Sequence, residues 1–232
     1  MPTHDERILH TWQANVAPWI RAVRAGEIAS RVAVTNEAVL DCVRALRPMR
    51  LLDLGCGEGW LCHTLARDGV ACVGVDAIAG LVDAARAAHP PDGVPGEYAV
   101  LRYEEIAAGA MQADHAARFD VIVCNFALFG ETLVPALLRA LPALLTPGGR
   151  FVMQTLHPWA ASREVPYADG WRDGSWAGFS SDFTDPAPWY FRTIGSWMEV
   201  LAAAGLTVFR LQEPLNPESG APASLLLTAG CR

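Results

Sequence analysis

Short apolar runs alternate with stretches of helical spacing through the middle of the chain. Leu51, Leu52 and Leu54 supply the apolar run of a strand that is buried on both faces. Residues 60–67 carry apolar side chains at helical spacing, and Gly69 follows where such a helix would end. The alternation continues with a predicted strand at 71–75 and a predicted helix at 80–88. This order predicts an α/β fold with a parallel, doubly wound sheet.

Further elements of the same kinds are predicted on both sides of this region. The expected helices cover residues 5–25 (two short helices interrupted at Pro18), 36–46, 132–145 and 194–204. The expected strands cover residues 98–102, 119–126, 150–156, 206–211 and 223–229. Pro142 predicts a kink or an early end in the helix expected at 132–145, because proline removes a backbone hydrogen bond.

The turn after the first strand contains three glycines, Gly55, Gly57 and Gly59. Glycines allow a tight turn and let a ligand touch the backbone, and a strand, a glycine turn and a helix together form a nucleotide site. The spacing differs from the dinucleotide fingerprint G-x-G-x-x-G, because the residue after Gly59 is the bulky Trp60. A phosphate-binding P-loop needs a lysine, and all 18 basic residues of the chain are arginines. The P-loop class is therefore excluded.

Residues 51–59 resemble motif I of the class I S-adenosylmethionine-dependent methyltransferases, an aliphatic pair, an acid, an aliphatic residue and G-x-G-x-G. Segments 73–76, 119–126 and 145–152 resemble the family's second strand, fourth strand and turn into the fifth strand, in the expected order. The resemblance implies a seven-stranded, mostly parallel sheet of the Rossmann-like methyltransferase type, with an antiparallel last strand. It also implies S-adenosyl-L-methionine as the cofactor and methyl transfer as the reaction.

The resemblance and the turn together indicate which residues bind the cofactor. Asp76 ends the second strand 21 residues after Gly55, where this kind of fold places a carboxylate on ribose hydroxyls. Tyr103 and Glu104 correspond to the adenine edge, and Arg31 could hold the cofactor carboxylate bidentately. The complete expected set is Trp12, Arg31, Asp53, Gly55, Cys56, Gly57, Gly59, Asp76, Ala77, Tyr103, Glu104, Asn125 and Phe126.

Residues 157–192 differ in kind from the rest of the chain. Aromatic side chains are dense there, among Gly, Ser, Asp and Pro, without a helical or strand period. Loops of this length are usually lids, binding loops or disordered, and the aromatic content argues against disorder. We expect an aromatic cap over the substrate, inserted after the fifth strand; the alternative is a dimer interface. The expected substrate-binding residues are Trp159, Tyr167, Trp171, Trp176, Trp189 and Tyr190.

The predicted organisation is a single methyltransferase domain, 1–232. Its parts are N-terminal helices (1–47), a cofactor-binding core (48–156), the substrate-cap insertion (157–192) and a C-terminal helix with a strand pair (193–232). His157 follows the fifth strand and Glu131 follows the fourth, so each is a candidate general base for an acceptor that must lose a proton. A structural or orienting role is the alternative for His157.

Composition restricts the partners and the location. The formal net charge is −7 and no run of arginines is present, which argues against nucleic acid or an anionic membrane as partner and favours a small-molecule acceptor. The six cysteines contain no C-x-x-C pair, and no histidine spacing gathers a metal, so we expect reduced thiols and no metal site. A polar N-terminus without a long apolar run predicts a cytoplasmic protein. We expect it to be a monomer or a homodimer.

Two other functions fit the same fold. A nicotinamide-dependent oxidoreductase would use it, although Trp60 breaks the fingerprint. A non-catalytic partner protein that only binds S-adenosylmethionine would also carry motif I. The identity of the acceptor does not follow from the fold, because one fold carries many chemistries.

Overall fold

A seven-stranded sheet forms the centre of the protein in the computed structural model, which describes residues 2–114 and 119–231. The strands are β1 (Arg50–Leu54), β2 (Ala71–Asp76), β3 (Glu97–Val100), β4 (Phe119–Asn125), β5 (Leu145–Thr155), β6 (Gly170–Arg172), β7 (Trp189–Phe191), β8 (Thr207–Gln212) and β9 (Leu225–Gly230). The helices are α1 (His4–Ala14), α2 (Val16–Arg24), α3 (Asn36–Leu46), α4 (Trp60–Arg67), α5 (Ala79–Ala87), α6 (Tyr103–Ala107), α7 (Ala110–Asp114), α8 (Leu133–Ala140) and α9 (Ile194–Ala203).

The strand order in the main sheet is β3-β2-β1-β4-β5-β9-β8. The first five of these strands run parallel, and β9 is antiparallel to both of its neighbours. Side chains alternate across the sheet, so Leu52 and Leu54 enter one apolar cluster while Leu51 enters another on the opposite face. The predicted fold class is confirmed, including the antiparallel last strand.

Several element boundaries differ from the prediction. The N-terminal helices separate at Asn15, and Pro18 lies in the first turn of α2, where its missing N–H removes no helical bond. The third strand begins one residue earlier and ends at Val100, because the chain turns into α6. Helix α8 ends at Ala140 and a 3₁₀ turn carries Pro142, which is the early end that proline predicts. No helix in the described ranges is long and apolar enough to cross a membrane.

The segment 157–192 contains one small antiparallel hairpin, β6 with β7. The hairpin contacts the loop after β4, since the Tyr190 N–H donates to the carbonyl of Phe129 at 2.8 Å. The tip of the segment contacts the N-terminal helices: the Asn15 side chain bonds both the N–H and the carbonyl of Thr184. We call α1, α2 and residues 170–189 the roof, because they lie together over the carboxyl ends of the central strands.

Candidate active site

A cavity of about 450 Å³ lies between the roof and the carboxyl ends of β1, β2 and β4. The carboxyl ends of parallel strands, where the strand order reverses, are where α/β sheets bind their ligands. Every residue predicted to bind the cofactor lines this cavity, with the exception of Gly59. The residues brought together are Trp12, Arg31, Asp53, Gly55, Cys56, Gly57, Asp76, Ala77, Tyr103, Glu104, Asn125 and Phe126.

The glycine turn is held in place by the end of β2. The amides of Gly55 and Cys56 both donate to the carbonyl of Val75, at 2.8 and 3.0 Å. One oxygen of Asp76 accepts from the Gly57 amide and the other from the Ile78 amide, each at 2.9 Å. Burial raises the pKa of Asp76, and these backbone donors oppose that rise. Asp76 thus fixes the turn and still presents its remaining lone pairs to the cavity.

The glycines of the turn have different roles although all have positive φ. A Cβ on Gly57 would enter open space, with only Trp19 Nε1 nearby at 3.5 Å. A Cβ on Gly59 would instead meet His63 Nε2 at 2.7 Å and the Cβ of Ala85 at 2.9 Å. Gly59 therefore serves the packing of α4 against α5, which explains why it does not line the cavity.

Arg31 lies at the side of the cavity, in a turn of π-helix that precedes α3. Its Nε donates to the Asn36 side chain at 3.0 Å, and its guanidinium lies over Trp60 at 5.1 Å and Trp19 at 5.7 Å from the ring centroids. Burial lowers the pKa of Arg31, and the charges of Glu58 and Asp53 oppose this. The cation is thus held by aromatic faces, and its terminal nitrogens remain available for an anionic group.

Asp53 lies beneath the glycine turn and is almost completely buried. Burial raises the pKa of Asp53 to about 7, with smaller effects of the Cys62 thiol and Arg31, which lower it, and of Asp76, which raises it. The Cys62 thiol donates to Asp53 Oδ2 at 3.6 Å. Glu58 is also buried and its pKa is raised by burial. A cationic group in this part of the cavity would stabilise both carboxylates in their ionised form.

The end of β4 supplies the opposite wall. Asn125 lines the cavity, and its Oδ1 is buried without a hydrogen-bond partner among the described residues. Phe126 follows with a φ of 53°, a conformation that costs a non-glycine residue about 1–2 kcal/mol. The Tyr103 hydroxyl donates to the carbonyl of Ala127 at 3.4 Å, and burial raises the pKa of Tyr103. Strained backbone and an unpartnered amide oxygen are features of a binding site rather than of a plain strand end.

The aromatic side chains of the roof form the remaining wall. Trp12 contacts Trp19 edge to face with ring centroids 5.0 Å apart, Trp176 at 6.0 Å and Phe129 at 6.2 Å. Trp176 and Trp189, two of the predicted substrate-binding residues, line the cavity. This half of the cavity is largely apolar and aromatic, as small-molecule sites commonly are.

The other predicted substrate residues do not line the cavity. Trp171 stacks on His4 and donates its Nε1–H to Glu131, while Tyr190 packs against Trp171. The Tyr167 hydroxyl accepts from the Ile194 amide, and Trp159 is half exposed beneath Arg163. Trp171, Tyr167 and Tyr190 dock the hairpin onto the rest of the protein, a role that the aromatic composition alone could not separate from ligand binding.

Neither candidate base faces the cavity. Leu156 lines it, and the next side chain, His157, points to the other side of the chain, where its Nε2 lies 2.8 Å from Glu213 Oε1. Glu131 accepts from Trp171, and its carbonyl accepts from Arg192 at 2.6 Å. Within the described ranges, no three His, Cys, Asp or Glu side chains are arranged to hold a metal ion.

Two acidic residues of the cavity did not emerge from the sequence. Glu58 lies inside the motif G-x-G-x-G, at the second position that the motif leaves unspecified, between Gly57 and Gly59. Asp5 lies in the first turn of α1, 48 residues before Asp53 in the chain. The spacing in α1 could have identified Asp5 as a cavity residue. Positions 5, 8, 9 and 12 share one face of a helix, and Trp12 on that face was already predicted to contact the cofactor.

Comparison with known proteins gives consistent results. The methyltransferase-domain family matches residues 29–211. A ubiquinone biosynthesis O-methyltransferase from Xanthomonas axonopodis pv. citri (strain 306) is 35% identical over 108 residues, which is 47% of this chain and 43% of that protein. One from Bradyrhizobium sp. (strain ORS 278) is 32% identical over 138 residues, 60% of this chain and 51% of that protein. The chain spans about half the length of these relatives.

Solved structures share the fold over more of the chain. An S-adenosylmethionine-dependent methyltransferase from Mesorhizobium loti has 25% identity and a TM-score of 0.58, covering 82% of this chain and 95% of that one. The magnesium protoporphyrin IX methyltransferase from Synechocystis PCC 6803, solved with bound S-adenosylmethionine, has 14% identity and a TM-score of 0.66, covering 100% and 99%. The family match and these folds confirm the resemblance: the chain belongs to the methyltransferase-domain family and has the fold of the S-adenosylmethionine-dependent methyltransferases.

Proposed function

We propose that this protein binds S-adenosylmethionine and transfers its methyl group to a small-molecule acceptor. The observation that carries the proposal is that Asp76, at the glycine turn, and Arg31, in the turn before α3, line one cavity of about 450 Å³. S-adenosylmethionine is an amino-acid nucleoside, with hydroxyls on its central ribose and a carboxylate on its amino-acid tail. A carboxylate and a guanidinium in one cavity suit those two groups.

Several features fit this cofactor. Gly57 leaves its Cβ position open, so a ligand can approach the backbone of the turn. Arg31 would hold the carboxylate of the cofactor, and Asp53 would lie near its ammonium group. Asp76 would accept from the ribose, while Asn125 offers a buried oxygen without a partner. Tyr103 and Glu104 follow β3 and would lie near the adenine.

The cofactor, when bound, supplies a methyl group that is already activated by a positively charged sulfur. The protein's contribution is then to align the acceptor and to exclude water, which in well-oriented reactions is worth up to roughly 7–11 kcal/mol. The roof supports this role, since four of its tryptophans (Trp12, Trp19, Trp176 and Trp189) line the cavity and its two segments are hydrogen-bonded to each other. Neither His157 nor Glu131 is part of the proposed machinery, because neither lines the cavity.

Calorimetric titration with S-adenosylhomocysteine, the demethylated product, tests cofactor binding. Asp76→Ala should weaken binding by about 10–150-fold, because a hydrogen bond to a charged group is worth roughly 1.5–3 kcal/mol. Asp83→Ala is the matched control, since Asp83 is an exposed acid on α5 that pairs with Arg86. Absence of binding by the folded wild-type protein would refute the proposal. Transfer of a labelled methyl group to any acceptor would separate an enzyme from a protein that only binds the cofactor.

A further inference from the structure

The indole N–H of Trp19 lies over the glycine turn and has no hydrogen-bond acceptor among the described residues. Trp19 Nε1 is 3.5 Å from the position that a Cβ on Gly57 would occupy, and both residues line the cavity. Apart from the residues next to Gly57 in the chain, no described residue lies closer to that position. Trp19 is only partly buried, and its Nε1 is not one of the buried atoms that lack a partner, so this nitrogen keeps accessible surface. The donor therefore faces the open space above Gly57, where a ligand can reach it.

Helix α2 holds the backbone of Trp19 in this place through contacts on both sides of it. One turn before Trp19, Val16 packs on α5, where its Cγ1 is 3.0 Å from the position of a Cβ on Gly80. Near the end of α2, the Arg24 guanidinium donates to the carbonyl of Ala84 at 3.0 Å. The position of α2 over the turn therefore does not depend on the Trp19 side chain itself.

The ring of Trp19 is oriented by contacts that leave its N–H unused. Trp12 contacts the ring edge to face, with centroids 5.0 Å apart and an interplanar angle of 86°. The guanidinium carbon of Arg31 lies 5.7 Å from the ring centroid. Aromatic contacts of both kinds are also available to a phenyl ring. The feature that a tryptophan adds at this position is the N–H, which can only donate.

The proposed cofactor offers one group that suits this donor. Its ribose hydroxyls are assigned to Asp76 and its adenine to Tyr103 and Glu104. Its carboxylate is assigned to Arg31, whose guanidinium lies beside the Trp19 ring. A carboxylate has two oxygens with about four lone-pair positions, so it can accept from a guanidinium and from an indole at the same time. Hydrogen bonds to an ionised acceptor are about twice as strong as those between neutral groups.

We propose that Trp19 is a further cofactor-binding residue, whose indole N–H donates to the carboxylate of the cofactor's amino-acid tail together with Arg31. This inference rests on the proposed function, because the ligand is the same cofactor. Trp19 belongs to α2 and therefore to the roof, whereas the tail lies on the glycine turn. The carboxylate thus links the roof to the turn.

Two ligands that differ only in the carboxylate test this inference without turnover. They are S-adenosylhomocysteine and its decarboxylated analogue 5′-deoxy-5′-(3-aminopropylthio)adenosine, which keeps the adenine, ribose, thioether and ammonium group. Each is titrated by calorimetry into the full chain, and the weaker ligand is measured by displacement. Trp19→Phe should raise the Kd for S-adenosylhomocysteine about tenfold to a hundredfold, because a hydrogen bond to a charged group is lost. The Kd for the analogue should stay within a few-fold.

Trp159→Phe is the matched control, since it makes the same chemical change on a half-exposed side chain outside the cavity. It should leave both Kd values within a few-fold. The indole N–H resonance of Trp19 gives a direct readout, and its absence from the spectrum of Trp19→Phe identifies it. This proton resonance should move downfield when S-adenosylhomocysteine binds and should move much less with the decarboxylated analogue.

Three results would overturn the inference alone while S-adenosylhomocysteine still binds to the wild type. They are an unchanged Kd for S-adenosylhomocysteine in Trp19→Phe, an equal loss of affinity for both ligands, and a Trp19 indole resonance that saturating S-adenosylhomocysteine does not move. An equal loss would mean that the ring only packs against the nucleoside. Absence of S-adenosylhomocysteine binding by the folded wild type would instead refute the proposed function, and this inference with it.

Discussion

The side chain of Asn15 forms two hydrogen bonds with the backbone of Thr184, 169 residues later in the chain. Asn15 Nδ2 donates to the Thr184 carbonyl at 2.8 Å, and Asn15 Oδ1 accepts from the Thr184 amide at 2.9 Å. Asn15 Nδ2 also donates to the carbonyl of Thr11 at the end of α1. One fully buried side chain thus ends a helix and joins the two halves of the roof.

Asn15→Ala should therefore loosen the roof. We expect a loss of about 1–2 kcal/mol in the free energy of unfolding, because three hydrogen bonds are lost while the exposed Thr184 backbone can still bond water. Limited proteolysis should cut residues 176–185 faster in the variant. The control is Arg21→Ala, which removes an exposed ion pair between the same two segments and should cost roughly 0–1 kcal/mol. Equal protease resistance of wild type and Asn15→Ala would show that the roof is held by its aromatic contacts alone.

Alanine at Gly57 and at Gly59 should separate the two roles of the glycine turn. Both positions have positive φ, so each substitution carries a similar backbone strain of about 1–2 kcal/mol. Gly57→Ala adds a methyl group toward the cavity and should weaken S-adenosylhomocysteine binding beyond what the strain explains. Gly59→Ala adds a methyl group against His63 and Ala85, so it should lower the melting temperature more and affect binding less. Indistinguishable melting temperatures and affinities for the two variants would contradict this assignment.

The sheet could be predicted from the sequence because each of its elements carries a local signal. The strands 51–54 and 71–75 are buried on both faces and are therefore apolar except at Asp53, and glycines mark the turns between strand and helix. Most of the residues proposed to bind the cofactor could be predicted to line the cavity for the same reason, since they lie within a few residues of the strand ends. Trp12 and Arg31 are the exceptions, because they lie in the N-terminal part of the chain. The early end of α8, at Ala140, likewise followed from one residue, Pro142.

The roof could not be predicted in the same detail, since its contacts join distant segments. The position of Trp171 outside the cavity depends on stacking with His4, and that of Trp176 inside it depends on Trp12. The direction of His157 depends on the pairing of its ring with Glu213. No local period encodes such contacts, because an aromatic side chain that docks a hairpin and one that lines a pocket have the same composition.

Cofactor affinity should depend on pH through Asp53. Burial raises the pKa of Asp53 to about 7, so the group is largely protonated at pH 6 and ionised at pH 8. A ligand with an ammonium group favours the ionised form, and its binding therefore releases a proton. We expect the Kd for S-adenosylhomocysteine to fall as pH rises from 6 to 8, by at most about tenfold per pH unit. Calorimetry in buffers of different ionisation enthalpy would count the released protons.

Asp53→Asn should remove this dependence, because the amide does not titrate. The same raised pKa affects the free protein in the opposite direction: the folded state keeps a proton that the unfolded state loses. The stabilising contribution of protonated Asp53 is fully present below its ordinary pKa near 3.8 and is lost as pH rises to about 7. The wild type should therefore lose more unfolding free energy than Asp53→Asn between pH 5 and pH 8. A Kd that changes with pH equally in both proteins would assign the effect to another group.

Trp176 and Trp159 provide a matched pair for testing the substrate role of the insertion. Trp176 lines the cavity, contacts Trp12 and donates its Nε1–H to the Thr184 carbonyl at 2.9 Å. Trp159 belongs to the same segment but is half exposed and lies outside the cavity. Trp176→Ala should raise KM or lower kcat for the acceptor, while the Kd for S-adenosylhomocysteine stays within a few-fold, because the glycine turn and Asp76 are untouched. Trp159→Ala should leave all three quantities unchanged. If Trp176→Ala changed only the oligomeric state and turned over acceptor normally, the insertion would be an interface between subunits and not a substrate cap.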